Sequence, residues 1–329
     1  MTTTNETVPA TAHDTATLLR WHERMWTIRY FEENAIASYR KGLFTGSTHP
    51  CICQEAICVG AAGALRPTDQ VFATYRGHGH AIAKGLDPKA LMAELLCKQS
   101  GCCGGRGGSM HLCDVSKDFW GTNAIVAAHI PIAGGMALSN KLRNNDRVTA
   151  VFFGDGASCE GAFFETLNMA TLWKVPLIFI CENNGFAISV ATRMAIPIDR
   201  ISDRAAGFGL PGVTVDGQDP AAVHAAVSAA AARGRAGEGP TLIECKTTRW
   251  ERHSAISAGK YENDDAMNAW KRADPIPRLE ARLRESHDVS EDQLAAARAR
   301  AKSINDEALA FAIAAAPPSP ATVADFVYA

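Results

Sequence analysis

Strong charge of either sign is missing from this sequence: 33 Lys and Arg stand against 35 Asp and Glu, a formal net charge of −2. That leaves no electrostatic case for nucleic acid or an anionic membrane as a partner. Long apolar runs are also missing, so no segment reads as a membrane span. The stretch MTTTNETVPATAHDTAT has neither the apolar centre of a secretory signal nor the Arg-rich pattern of a transit peptide. Residues 1–14 therefore read as a disordered tail, and the chain as cytoplasmic. Ten cysteines are present, but Cys51-x-Cys53, Cys58 and Cys102-Cys103 lack the paired CxxC spacing that marks a zinc site. They read as reduced thiols, several of them packed as small hydrophobes. The glycine-rich run at residues 101–111 lacks the Gly-Lys-Ser/Thr ending of a nucleotide P-loop.

What is present is concentrated between residues 148 and 190. A β-branched and aromatic run, residues 148–153, stops at Gly154-Asp155-Gly156. A helical pattern follows, with Phe163, Leu167, Ala170 and Trp173 at spacings of three and four. Residues 175–181 form a second unbroken apolar run, ending in Glu182-Asn183-Asn184-Gly185. Strand, turn, helix and strand in that order predict a right-handed parallel unit. Asp155 and Asn184 then emerge at the carboxyl edge of one sheet, where open α/β folds bind ligands. A carboxylate, an amide oxygen and a free carbonyl in the next turn are hard donors suited to Mg²⁺, which completes its octahedron with phosphate and water. Gly156 allows close approach of a phosphate, and the helix after it directs amide dipoles there. Gly-Asp-Gly alone reads more readily as a tight turn. The two strands and the 29-residue interval favour a site.

GDGASCEG, NMATLWKVPLIFICENNGFA and the interval between them resemble the thiamine-diphosphate motif in the alpha subunits of 2-oxo acid dehydrogenase first components, which act on pyruvate, acetoin or branched-chain 2-oxo acids. The resemblance extends over residues 18–283. It implies a thiamine-diphosphate-binding α/β fold, mostly parallel, flanked by helices and with helical N- and C-terminal additions. It further implies Asp155, Asn184 and the carbonyl of Phe186 as Mg²⁺ ligands, with Gly156 and Ala157 at the cofactor. Tyr75 and Arg76, within Tyr75-Arg-Gly-His78-Gly-His80, would hold the diphosphate together with Arg249. An Arg fork suits that group because it donates two hydrogen bonds at once. His49 would be another cofactor contact, and backbone groups of Ala124 and Val126 would bind the aminopyrimidine. Ala124 replaces the usual glycine there. His78 and His253 are the candidate proton-handling groups, although each alone also reads as an ordinary loop histidine.

The expected domain occupies residues 15–285, followed by a C-terminal helix and tail at 286–329. Residues 15–40 form an amphipathic helix with Leu18, Trp21, Met25, Ile28, Phe31, Ala35 and Tyr39 on one face. Further strands are expected at 70–75 and 241–247, and helices at 56–65, 131–142 and 221–233. Asp87-Pro88 and Ser290 read as helix starts. The resemblance places the segment around Gly108-Ser109-Met110-His111 near the cofactor, with a mobile loop as the alternative.

One part of the expected chemistry lacks a candidate. Activating the coenzyme requires a carboxylate against its pyrimidine ring, and Glu55 lies in a family-typical Gln-Glu pair without that role. By resemblance that carboxylate comes from a beta subunit in an α₂β₂ assembly, and the acyl group passes to a lipoyl-bearing acyltransferase. RGHGH leans toward acetoin as substrate, whereas Arg249-x-x-x-His253-Ser254 leans toward pyruvate. Glu251, Arg252 and the run Ser254-Ala-Ile-Ser257-Ala depart from the usual pattern, which keeps open a non-catalytic structural relative.

Overall fold

The computed structural model describes residues 13–257, 268–269, 271–325 and 327. Residues 1–12 of the expected tail at 1–14 and the end of the atypical loop at 258 lie outside these residues, whereas Asp14 caps the first helix. In chain order the elements are α1 (Thr15–Arg40), α2 (Glu55–Ala64), β1 (Gln70–Thr74), α3 (His78–Lys84), α4 (Pro88–Leu95), β2 (Phe119–Asn123) and α5 (His129–Leu142). Then follow β3 (Thr149–Gly154), α6 (Gly161–Leu172), β4 (Leu177–Asn183), a small hairpin of β5 (Phe186–Ala187) and β6 (Val190–Ala191), and α7 (Thr192–Ala195). β7 (Gly212–Asp216), α8 (Pro220–Arg235) and β8 (Thr241–Lys246) complete the sheet, and two helices, Pro275–His287 and Glu291–Ala314, close the chain.

The sheet has the order β2-β1-β3-β4-β8-β7, with every pair parallel. Parallel central strands must be apolar on both faces, and all seven residues of β4 are buried. The side chains sort by the two-residue pleat. Phe152, Ile178 and Ile180 face a core built with α1, α2, α4 and α8, whereas Val151, Phe153 and Phe179 face one built with α5 and α6. β1 leads away to β2 on one side, and β3 leads through α6 to β4 on the other. The crevice between the carboxyl ends of β1 and β3 is thus a topological switch point, where ligands bind in open α/β sheets.

Helix starts follow the chemistry of their caps. Asp14 accepts from Thr17 N at 2.8 Å, Asp87 from Lys89 N at 2.9 Å, and Ser290 and Gln293 form a capping box. The last helix packs on α1: Leu294, Ala308 and Ala312 join the main core, and Asn305 Nδ2 donates to the Thr27 carbonyl at 3.0 Å.

Several short elements escape sequence reading, among them α3, α7, β2 and the β5–β6 hairpin. β2, Phe-Trp-Gly-Thr-Asn, is a half-buried edge strand containing Gly and Asn, residues with poor strand propensity. The β5–β6 hairpin has only two residues per strand. The glycine-rich run, in turn, is wrapped round one buried carboxylate. Glu94 Oε2 accepts from Cys103 N (2.7 Å) and Gly105 N (2.9 Å), and Oε1 from Gly107 N (2.7 Å) and Gly108 N (3.1 Å). Gly104, Gly105 and Gly108 carry positive φ, which the tight wrap requires. Among the described residues no helix is long and apolar enough to cross a membrane.

Candidate functional site

A cavity of about 400 Å³ opens at the switch point, within the range of small-molecule sites. Each wall grows from a strand end. Tyr75 and Arg76 follow β1, and Asn123 closes β2 and turns into Ala124 and Val126. Asp155, Gly156 and Ala157 follow β3, Asn184 and Phe186 follow β4, and Arg249 and His253 follow β8. All of them line the cavity, as does His49 from the loop before α2. Every anticipated contact except His78 is therefore gathered in one place.

Asp155 is almost fully buried and one residue beyond the Gly154↔Glu182 pair that ends the β3–β4 ladder. Its Oδ2 accepts a hydrogen bond from the Thr192 hydroxyl. Burial pushes its carboxyl above the ordinary range, against the pull of Thr192 and neighbouring amides. Asn184 Oδ1 accepts from Phe186 N at 3.2 Å, which folds the chain back so that both residues reach the cavity. A Cβ on Gly156 would stand 2.7 Å from the Ala187 Cβ, so glycine is what lets the hairpin close over the turn after β3. Asn123 Oδ1 accepts from Ile125 N at 2.8 Å, a local turn that presents the main chain of residues 124–126.

Two arginines supply positive charge. Arg76 is buried and donates to the carbonyls of Pro50 (2.5 Å) and His253 (3.1 Å). Arg249, also buried, donates to the Ile188 carbonyl at 2.8 Å. Beside them His49, Tyr75 and His253 form a ring cluster with centroids 4.5–5.6 Å apart. Burial, then Arg76 and His253, lower His49 to a pKa of about 3. Burial, then Arg76 and Arg249, lower His253 to about 4. Both rings are thus neutral at neutral pH and can accept a proton once an anion offsets the two guanidinium charges.

His78 does not reach the cavity. It is fully buried, its Nδ1 donating to Glu32 Oε2 at 2.9 Å and its Nε2 lying 2.9 Å from Ser109 Oγ. Ser109 in turn donates to Thr48 Oγ1 at 3.2 Å, next to His49. The cluster that His78 joins braces the glycine-rich segment, whose Met110 does line the cavity. Enclosed in this way, His78 lies against Glu32 and Ser109 and not on the cavity wall. Glu55, as expected, belongs elsewhere: Arg29 Nε donates to it at 2.6 Å.

Gln54, Asn123 and Glu182 also line the cavity and were not anticipated. Gln54 and Glu182 carried a readable signal, since each is a polar residue that opens a buried helix or interrupts an apolar strand. Both amide atoms of Gln54 and Nδ1 of His49 are buried without a hydrogen-bond partner among the described residues. Unpaired buried polar atoms are costly, and a ligand in this cavity would pair them. With two cations, a buried hard carboxylate and an amide oxygen on the same walls, the residues fit an anionic group bridged to a hard divalent ion.

The fold and cavity define an α/β protein with a cation-lined cavity at the switch point of a parallel sheet. Residues 23–321 match the family described as dehydrogenase E1 component, and the chain belongs to that family of oxidoreductases. It is 46% identical over 248 residues to the alpha subunit of acetoin:2,6-dichlorophenolindophenol oxidoreductase from Cupriavidus necator, covering 75% of this chain and 74% of that one. It is 41% identical over 279 residues to the pyruvate dehydrogenase E1 component alpha subunit of Zymomonas mobilis, covering 84% and 79%. The corresponding alpha subunit from Porphyra purpurea is 38% identical over 319 residues, covering 95% and 93%.

Proposed function

We propose that this chain is the alpha subunit of a 2-oxo acid dehydrogenase first component, which binds thiamine diphosphate with Mg²⁺ and oxidatively decarboxylates pyruvate or a close 2-oxo acid. The observation that carries this reading is the convergence of twelve anticipated contact residues on one cavity at the switch point. Asp155 and Asn184 side chains and the Phe186 carbonyl would hold the ion. Tyr75, Arg76 and Arg249 would hold the diphosphate, with the Gly156 and Ala157 main chain close beside it. The main chain of Ala124 and Val126 would receive the aminopyrimidine. Bound thiamine diphosphate supplies the carbon nucleophile that attacks the oxo group. Neutral His253, whose carbonyl accepts from Arg76, would accept and return a proton during acyl transfer.

Two cavity carboxylates besides Asp155 are otherwise disposed: Glu182 is turned toward His80 at 3.2 Å, and Glu160 stands at the exposed rim. The half-site therefore calls for a carboxylate from a beta subunit. Ile125, Val126 and Ile188 leave an exposed apolar rim round the cavity mouth that such a partner would cover. The reading extends to an α₂β₂ assembly that passes its acyl group to a lipoyl-bearing acyltransferase. Acetoin is the second reading for the substrate, favoured by the 46% identity to an acetoin oxidoreductase alpha subunit.

The test is reconstitution. The chain alone, the beta subunit alone and the pair are assayed with pyruvate, acetoin and branched-chain 2-oxo acids and an artificial electron acceptor. Turnover is expected from the pair only, and substantial turnover by the chain alone refutes the division of labour. Calorimetry with thiamine diphosphate and Mg²⁺ on the pair separates an enzyme from a non-catalytic relative, because a relative that has lost the activity gives no binding heat.

A further inference from the structure

Behind the cavity floor the fold assembles a second cluster of metal-ligating groups. Cys58 on α2, His80 on α3 and Glu182 near the end of β4 are each at most 3% exposed, and their ligand atoms all lie within 4.8 Å of one another. His80 Nε2 stands 3.2 Å from Glu182 Oε1. Yet neither ring nitrogen of His80, nor Oε1 of Glu182, makes an aligned hydrogen bond among the described residues. Against the pull of burial, Cys58 and the contact with Glu182 raise the His80 ring well above its ordinary range, so the three groups already act as one charged cluster. Cys51 flanks the cluster: a Cβ on Gly79 would meet its Sγ at 2.7 Å and that of Cys58 at 2.9 Å. A small void of about 10 Å³, lined by Cys58, His80 and Phe152, has room for roughly one water.

The geometry points to a structural Zn²⁺ ion held by Cys58, His80 and Glu182, with Cys51 or a water as fourth ligand. Thiolate, imidazole and carboxylate together suit zinc, whereas magnesium rejects sulfur. Zn–N and Zn–O bonds of about 2.1 Å at a tetrahedral angle span about 3.4 Å, close to the separation already present between His80 and Glu182. Binding displaces to solvent both the Cys58 thiol proton and the second proton of the His80 ring, which Cys58 and Glu182 otherwise hold in place. Burial alone would raise that thiol, but its contacts with Cys51 and His80 draw it below the ordinary range. The ion would tie α2 and α3 to β4 two residues before Asn184, and so stiffen the floor of the cavity.

The other thiol–carboxylate group, Glu94 with Cys102 and Cys103, is a poorer candidate. Its carboxylate already accepts four backbone amides. Its two cysteines are only half-buried.

The test is metal content by mass spectrometry on the full chain, purified with its partner from zinc-supplemented cells and dialysed against chelator. The expected result is about one zinc per chain, falling tenfold or more in Cys58→Ser and His80→Phe. Content is expected to be unchanged in Asp155→Ala and Cys102→Ser. Cobalt-loaded wild type should show a thiolate-to-cobalt charge-transfer band, a readout that needs no variant to fold. Wild type without stoichiometric zinc and without that band overturns the site. Loss of zinc in Cys102→Ser, with none in Cys58→Ser, relocates the ion and overturns it equally.

Discussion

Two buried carboxylates, Glu94 and Asp155, have opposite fates in this molecule. Glu94 sits among four backbone amides of the glycine-rich loop, so its charge is matched where it stands. Asp155 has the Thr192 hydroxyl and nearby amides, faces a cavity, and is pushed upward in pKa by burial. A matched charge holds the fold together. An under-matched one at a cavity wall waits for a ligand, because desolvation of a carboxylate is offset only by a cation or enough donors.

The sharpest way to break the comparison is Glu94→Ala, which strands four buried amides. A stability loss of about 3–5 kcal/mol is expected by urea denaturation. A loss under about 1 kcal/mol would show the loop to be held by something else. Asp155→Ala should do the reverse. Affinity for thiamine diphosphate with Mg²⁺ in the assembled protein should fall at least about 100-fold, or about 2.7 kcal/mol, by calorimetry. The ligand-free melting temperature should hold or rise, since a buried charge has gone. Gly156→Ala should weaken the same binding by about tenfold, because its Cβ crowds Ala187 at 2.7 Å. Gly207→Ala, with open space at that position and away from the cavity wall, serves as the near-neutral control.

The smallest effect concerns pH. An unfolded chain takes up protons on His49 and His253 near pH 6.5, whereas the native rings resist until about pH 3 and 4. Stability is therefore full above pH 6.5 and falls as the pH drops from 6.5 toward 4. Melting curves across that window should show a shallower fall for His49→Gln. Inorganic diphosphate should also flatten the wild-type curve by offsetting Arg76 and Arg249. A wild-type curve already flat from pH 6.5 to 4 contradicts the assignment of neutral histidines.

Much of the site was legible in the chain itself. Asp155 and Asn184 each follow an apolar run of strand length, so local pattern alone puts them at one sheet edge. Tyr75-Arg76 and Arg249 likewise follow strands, and the caps Asp87 and Ser290 mark their helices by short-range hydrogen bonds that depend on neighbours in sequence. His78 shows where such reading fails. Two residues past Arg76, it faces inward to Glu32 and Ser109, a direction set by α3 packing under α1. The edge strand β2 was hidden for the same reason: its role depends on residues far away along the chain.

The amino-acid sequence determined by itself the parallel α/β class, the strand–turn–helix–strand unit and most of the side chains aimed at its edge, because periodicity and capping act over a few residues. Only the tertiary structure decided that β1 and β3 part in opposite directions to open a crevice. It alone decided that Glu94 is clasped by glycine amides, and that Cys58, His80 and Glu182 meet behind the cavity floor. Those outcomes rest on long-range packing and on which polar groups find partners away from water, and no local pattern encodes either.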